Sequence, residues 1–397
     1  MTERRNDSLN SLWDGHGRAW RDPFQVAGQT DSPLTVDSRL LEFRVQGEWW
    51  EILHGVGGAL LVSREYEHLL MALSAGGGRP ALSYMPLPHP SGMVFDELSG
   101  TLHLACTRNP NQVIDFKPVA GLLHRSDLRS PAVDAYPLIP VRSRFYPGSL
   151  YIHDLAMIGG KLHANAVGHN AVVRLDDDGA FRRVWWPRCI EGEDGPDFSR
   201  NYLQLNSIAA GDDLESSWFS ASGDKISSRR PGHRNFPVER RGVIFAGSSR
   251  QAEVRGLTRP HSARLHRDAL WVANSGYGEL LRISGGKTET VCRLPGWTRG
   301  LCFRGDVAFV ATSRVIPRYS NYAPGLDVEL SVCGITAVDI RSGAVRGSIS
   351  WPWGNQIFAL EWLPEGFGQG LPCRVGRSRR MSGETRIFYS YTTEGMP

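Results

Sequence analysis

The chain lacks cysteines at metal or redox spacing. Its six, Cys106, Cys189, Cys292, Cys302, Cys333 and Cys373, form no CxxC pair, which argues against a zinc ribbon and a thioredoxin-like centre. No apolar run reaches the roughly 18 residues that a membrane-spanning helix needs. Residues 1–20 are polar and charged, without the apolar core of a signal peptide. A reducing cytoplasm is the expected setting, with Cys106 and Cys302 as buried free thiols in strands. Charge of one sign is also scarce. A net charge of +4 over 397 residues gives no footprint for a nucleic acid or an anionic membrane. There is no nucleophile elbow and no HExxH. Gly276-Tyr277-Gly278 opens no helix and reads as a tight turn, so no nucleotide cofactor is expected.

Short strands and turns are what the chain has instead. Its 44 glycines and 24 prolines suit many tight connections. One phrase recurs: a polar residue, an alternating apolar strand, a turn and a second strand. It reads His153-Asp154-Leu155-Ala156-Met157, then His261-Ser262-Ala263-Arg264-Leu265, then Arg299-Gly300-Leu301-Cys302-Phe303. The second strand follows at a fixed distance, from His153 to His163, His261 to Trp271 and Arg299 to Phe309. Related phrases open at Ser91, Asn206 and Gln356 (or Asn355). Self-similarity at a period of about 40–55 residues marks a radial β array rather than a sandwich or a solenoid. The expected fold is an all-β propeller over residues 36–397, with seven blades as the first expectation and six as the alternative.

In this reading Ala59–Ser63, Leu69–Leu73 and Ala81–Leu87 form the first blade, after a short helix or irregular entry at Trp49–Leu53. Ser91 opens the second blade, His153 the third, Asn206 the fourth, His261 the fifth, Arg299 the sixth and Gln356 the seventh. Thr385–Tyr391 is the segment expected to close the ring. Residues 1–35 read as a polar, loosely ordered segment, 119–150 as a long connection and 314–332 as a loop. The basic stretches at 224–241 and 374–380 read as solvated loops.

The first strand of a propeller blade lies nearest the axis, so its first residue sits at one mouth of the central channel. The apolar positions behind it, such as Leu155, Met157, Ile208, Ala263, Leu265 and Leu301, are assigned to packing between blades. The opening residues themselves differ: Ser91, His153, Asn206, His261, Arg299, Gln356. A purely structural repeat has little need of that variety.

The phrases resemble the openings of the gluconolactonase and regucalcin propellers, whose metal ligands hold the same position. A closer resemblance is to an uncharacterised family of bacterial propeller proteins. It is carried by LLVSREYEHLL (60–70), IHDLA (152–156), LQLNSIA (203–209), RPHSARLHRDALWVANSGYGEL (259–280), LPGWTRGLCF (294–303) and NQIFALEWLP (355–364). That family implies a propeller and supplies no activity. Its members often have His where this chain has Gln204, and Glu at Asn355 or Gln356, so potential ligands and proton carriers are missing here.

Two chemistries fit the ring. His153, His261 and Asn206 could hold a divalent transition metal, with Asp154 as a further ligand or as the group orienting His153. The opening positions offer no clear carboxylate, and Arg299 would repel a cation. Without a metal, His153 and His261 serve as general base and acid, and Arg299 binds a carboxylate or an oxyanion. Ser91, Asp154, Asn206, Asn355, Gln356 and Tyr277 complete the substrate-binding set. The expected function is an enzyme of lyase, isomerase or hydrolase type, acting on a small metabolite or modified peptide that bears a carboxylate. The alternative is a recognition module that binds a peptide or protein without turnover. His89, His103, His163 and His169 read as strand-surface residues, and Thr107–Asn111 as a polar turn.

Overall fold

Alternating apolar strands separated by tight turns cannot bury their faces as isolated sheets. In the computed structural model they stack around an axis. It describes residues 36–107, 111–122, 137–226, 229, 231, 236–367, 370–375 and 391–392. Among these, six antiparallel sheets of four or five strands form the blades, accompanied by two small two-stranded ribbons.

Blade 1 comprises Pro90–Asp96, Thr101–Cys106, Asn111–Pro118 and Leu138–Tyr146. Blade 2 comprises Ile152–Ile158, Lys161–Ala166, Ala171–Leu175 and Phe181–Trp185. Blade 3 comprises Leu205–Ala209, Trp218–Ala221, Gly242–Ala246 and Ala252–Leu257. Blade 4 comprises Pro260–His266, Ala269–Asn274, Glu279–Ser284 and Lys287–Arg293. Blade 5 runs through Trp297–Arg304, Val307–Ser313, Gly334–Asp339 and Val345–Ser350, with Arg44–Gly47 as an added outer strand.

Blade 6 joins the two ends of the chain. Its innermost strand is Ala359–Leu363, which pairs with Ala59–Arg64. Leu69–Ser74, Ala81–Pro86 and Cys373–Arg374 follow outward. This corrects the expected count of seven to six. The presumed first and last blades are one blade, so Ala59–Arg64 is a second strand rather than a first. The ring closes at Ala359–Leu363; Thr385–Tyr391, all but its last residue, lies outside the described residues, as do residues 1–35. The long connection at 119–150 also contains a strand, Leu138–Tyr146. It is the exposed outer strand of blade 1, where Pro140 is tolerated at an edge. The entry helix is real and runs from Trp49 to Val56.

The core follows the ring: six clusters of buried side chains, one at each contact between neighbouring blades. Leu155, Ile208, Ala263 and Leu301 are buried as expected, but Leu265 is exposed at 38%. It is the penultimate residue of its strand, beside the turn at Arg267–Asp268. The innermost strand of each of blades 1–5 shifts register at its start, between Pro90 and Met93, Ile152 and Leu155, Leu205 and Ser207, His261 and Arg264, and Thr298 and Leu301. The extra residue breaks strict alternation and re-aims a side chain. Four of these bulges follow a left-handed residue that is not glycine: His89, Tyr151, Gln204 and Arg259, with φ of 45–54°. Such backbone is costly for a bulky residue and clusters at functional sites. No helix among the described residues is long and apolar enough to cross a membrane.

Candidate active site at the channel mouth

The bulges stand at one end of the channel, and there the blades are bolted together. Each blade donates a side-chain hydrogen bond to a carbonyl at the start of the next blade's inner segment. Ser91 Oγ reaches Ile152 O at 3.2 Å, Asn165 Nδ2 reaches Leu205 O at 2.9 Å and Asn206 Nδ2 reaches Pro260 O at 2.9 Å. Ser275 Oγ reaches Thr298 O, Ser313 Oγ reaches Ile357 O at 3.1 Å and Ser63 Oγ reaches Ser91 O at 2.7 Å. These bonds close a ring. Two opening residues, Ser91 and Asn206, are therefore turned into the frame, and neither lines the cavity described next.

That cavity, about 900 Å³, opens at the same end and draws lining residues from all six blades and their loops. His153, His261, Arg299, Asn355 and Gln356 line it, as the sequence suggests. A chain of ring contacts brings the first three together. Tyr151 meets His153 edge-on at 4.7 Å, and His153 meets Phe358 at 5.3 Å. The Arg299 guanidinium lies over Phe358 at 3.3 Å, and Trp297 meets His261 at 5.0 Å.

His261 has a defined tautomer. Its Nδ1 lies 2.9 Å from Arg259 O, which can only accept, so Nδ1 carries the hydrogen. Nε2 is buried with no hydrogen-bond partner and keeps its lone pair. Burial, with the Arg299 charge added, holds the imidazole well below its ordinary pKa. It is a neutral base. Arg299 is also buried, which lowers its own pKa. Its Nη2 has no partner, and with the Gln356 amide turned so that its oxygen faces the guanidinium, as the surrounding donors and acceptors require, Nη1 donates to that oxygen at 2.9 Å. In that same orientation the Gln356 nitrogen donates to Glu65 Oε2 at 3.2 Å.

Glu65 is the carboxylate that the opening positions lack. It accepts a 2.6 Å hydrogen bond from Thr107 Oγ1. Sequence reasoning misses it because a first strand at Ala59–Ser63 would end facing the other way. As a second strand it runs back toward the mouth and delivers Glu65 and Tyr66 to the cavity. The same geometry places Thr107, His169 and the Ser313–Ile316 segment there. So Thr107 and His169 belong to the cavity wall, and Arg314 and Tyr322 come from the loop at 314–332. Arg229 from the basic insertion is another lining residue. Glu67 supports the seam from beneath: it pairs with buried Arg64 at 3.2 Å and accepts from the Asn355 and Gln356 backbone.

Two other expected site residues stand elsewhere. Asp154 accepts from Ile208 N at 3.0 Å and grips Arg264 at 2.8 Å and 3.2 Å. Tyr277 bonds to Glu239. Neither lines the cavity. His103 binds Asp115 at 2.6 Å, and the amide of His153 donates to Asn165 Oδ1 at 3.1 Å. The donor set fits a metal poorly. Asn206 is committed to the frame, Arg299 lies among the histidines, and among the described residues no three His, Cys, Asp or Glu side chains gather as a metal site requires.

A six-bladed ring with a cavity at one channel mouth defines a β-propeller. The chain belongs to the family described as "Domain of unknown function (DUF4915)", whose model matches residues 47–368. No curated protein matches it. A propeller from a nidogen/laminin complex is similar in structure, with 8% identity and a TM-score of 0.51, over 78% of this chain and 100% of that one. A gluconolactonase from Xanthomonas campestris has 14% identity and a TM-score of 0.44, over 80% and 95% of the two chains. A virginiamycin B lyase from Staphylococcus aureus has 12% identity and a TM-score of 0.38, over 78% and 99%. At these identities the likeness concerns the fold alone.

Proposed function

We propose that the protein is an enzyme whose site is this cavity, performing acid–base chemistry of lyase, isomerase or hydrolase type on a small metabolite or modified peptide with a carboxylate. The observation that carries this reading is His261: Nδ1 is anchored to Arg259 O, and Nε2 is buried, without a partner, in the cavity it shares with Arg299. A fixed, neutral imidazole beside a cation is built to take a proton from a group that becomes anionic. In this reading His261 Nε2 removes the proton, Arg299 binds the carboxylate or the developing oxyanion, and His153 returns a proton. No metal takes part in these roles.

Tyr66, Tyr202, Tyr322 and Trp297 on the wall favour a second reading, a module that holds a peptide without turning it over. Incubating wild type and His261→Gln with an extract of carboxylate-bearing metabolites and peptides, followed by mass spectrometry, separates the two. Compounds consumed by wild type and spared by His261→Gln support the enzyme. Compounds retained unchanged by both proteins support the module.

A further inference from the structure

The cavity floor is unbalanced in hydrogen bonding. Three buried N–H donors, Arg299 Nη2, Asn355 Nδ2 and Trp297 Nε1, have no acceptor, and all three residues line the cavity. A buried guanidinium is stable only when an anion or several acceptors face it. Arg299 is 5% exposed, yet its neutral partner is Gln356. The Glu65 carboxylate is held on the far side of that amide and also accepts from Thr107. The Gln356 side chain thus stands between an acid and a base that would otherwise neutralise each other.

We propose that Gln356 is the charge-selecting residue of the site: it keeps Glu65 off Arg299, so that Arg299, Asn355 and Trp297 together receive a planar monoanion, a carboxylate attached to a flat apolar body. Phe358 beneath the guanidinium and Trp297 beside it, with Tyr151 against His153, supply the surface for that body. A phosphate would bring a second negative charge toward Glu65 and lose to the carboxylate. The inference deepens the proposed function, since it names the ligand head group of the same cavity. It does not depend on turnover.

Three probes with one ring separate the possibilities: benzoate, benzamide and phenyl phosphate, followed by ligand-observed NMR on the full chain. Wild type is expected to bind benzoate at least about tenfold more tightly than either of the others. Gln356→Glu sets a carboxylate against Arg299 and is expected to weaken benzoate by about tenfold or more, with benzamide unchanged. Gln356→Met, which adds no charge, is expected to keep the benzoate preference. A merely structural role for Gln356 would weaken benzoate and benzamide alike. Equal binding of benzoate and benzamide to wild type, a preference for phenyl phosphate, or unaltered benzoate binding by a folded Gln356→Glu protein would each overturn the proposal. Selective benzoate binding without any turnover in metabolite extracts would remove the enzyme reading and leave this one standing.

Discussion

Arg299 and His261 occupy the same position of a repeated phrase as Ser91 and Asn206, yet the two pairs do opposite things. Ser91 and Asn206 turn to the next blade's carbonyl and hold the frame. His261 and Arg299 each keep a buried nitrogen without a partner and line the cavity. A frame bond needs a short donor at this distance, and the imidazole and guanidinium are committed elsewhere. Removing the guanidinium is expected to abolish carboxylate binding while relieving an unfavourable burial. Arg299→Met should therefore melt no lower than wild type and bind benzoate too weakly to detect. Retained benzoate binding by Arg299→Met would place the anion site elsewhere. The sequence made His153, His261 and Arg299 legible because they open their phrases. It hid Glu65, whose role depends on which strand of a blade it ends, and a period-2 pattern does not say whether a strand is first or second.

The mouth end of the ring carries two devices, a bulge in the innermost strand and a side-chain bond to the next blade, which Ser63, Asn165, Ser275 and Ser313 donate from the second strand or just past it. Asn165 shows both at once. Its Oδ1 accepts from the backbone of His153 and Asp154, and its Nδ2 donates to Leu205 O. Asn165→Ala strands all three buried groups and is expected to cost about 2–4 kcal/mol in a denaturant titration. Asn165→Asp keeps the acceptor and loses the donor, so it should recover only part of that. Gly92 marks the neighbouring contact. A Cβ there would meet Asp154 Cα at 2.5 Å and His153 O at 2.7 Å, both backbone. Gly92→Ala must therefore push blade 2 away and shift His153, lowering both stability and ligand binding. Equal Tm and equal benzoate affinity for Gly92→Ala would contradict this packing. Leu265, which strand alternation assigns to the interior, pairs with buried Leu270 but faces solvent at the end of its strand.

The whole ring depends on a strand from near one end of the chain pairing with one from near the other. That closure was visible in outline, since Gln356 opens a phrase with few strands after it, but periodicity counted the shared blade twice. Deeper in the ring, side chains from the inner strands of alternate blades 2, 4 and 6 converge. Asp154 and Arg264 pair there, and the Glu361 carboxyl is influenced by both. Burial pushes Glu361 up to about 7. A carboxyl raised above its unfolded value binds an extra proton in the fold, so its contribution is complete below the ordinary carboxylate range and fades as pH rises through about 7. Glu361→Gln is expected to raise Tm by a few degrees, roughly 2–5 °C, at alkaline pH and by little in acid. A uniform shift would show that Glu361 does not titrate there.

His261 acts in the other direction. Its pKa is depressed by burial, so folding favours the neutral ring, and stability falls as pH drops below the unfolded histidine value. His163 and His169, lowered for the same reason, add to the loss. The most direct measurement is a long-range proton–nitrogen NMR spectrum of imidazole-labelled protein, with His261→Gln to assign the signal. From about pH 6 to 8, the His261 Nε2 should show the shift of an unprotonated nitrogen and move when benzoate binds. An imidazolium near neutral pH, a hydrogen on Nε2, or a signal indifferent to the ligand would contradict the assignment of this cavity as an acid–base site.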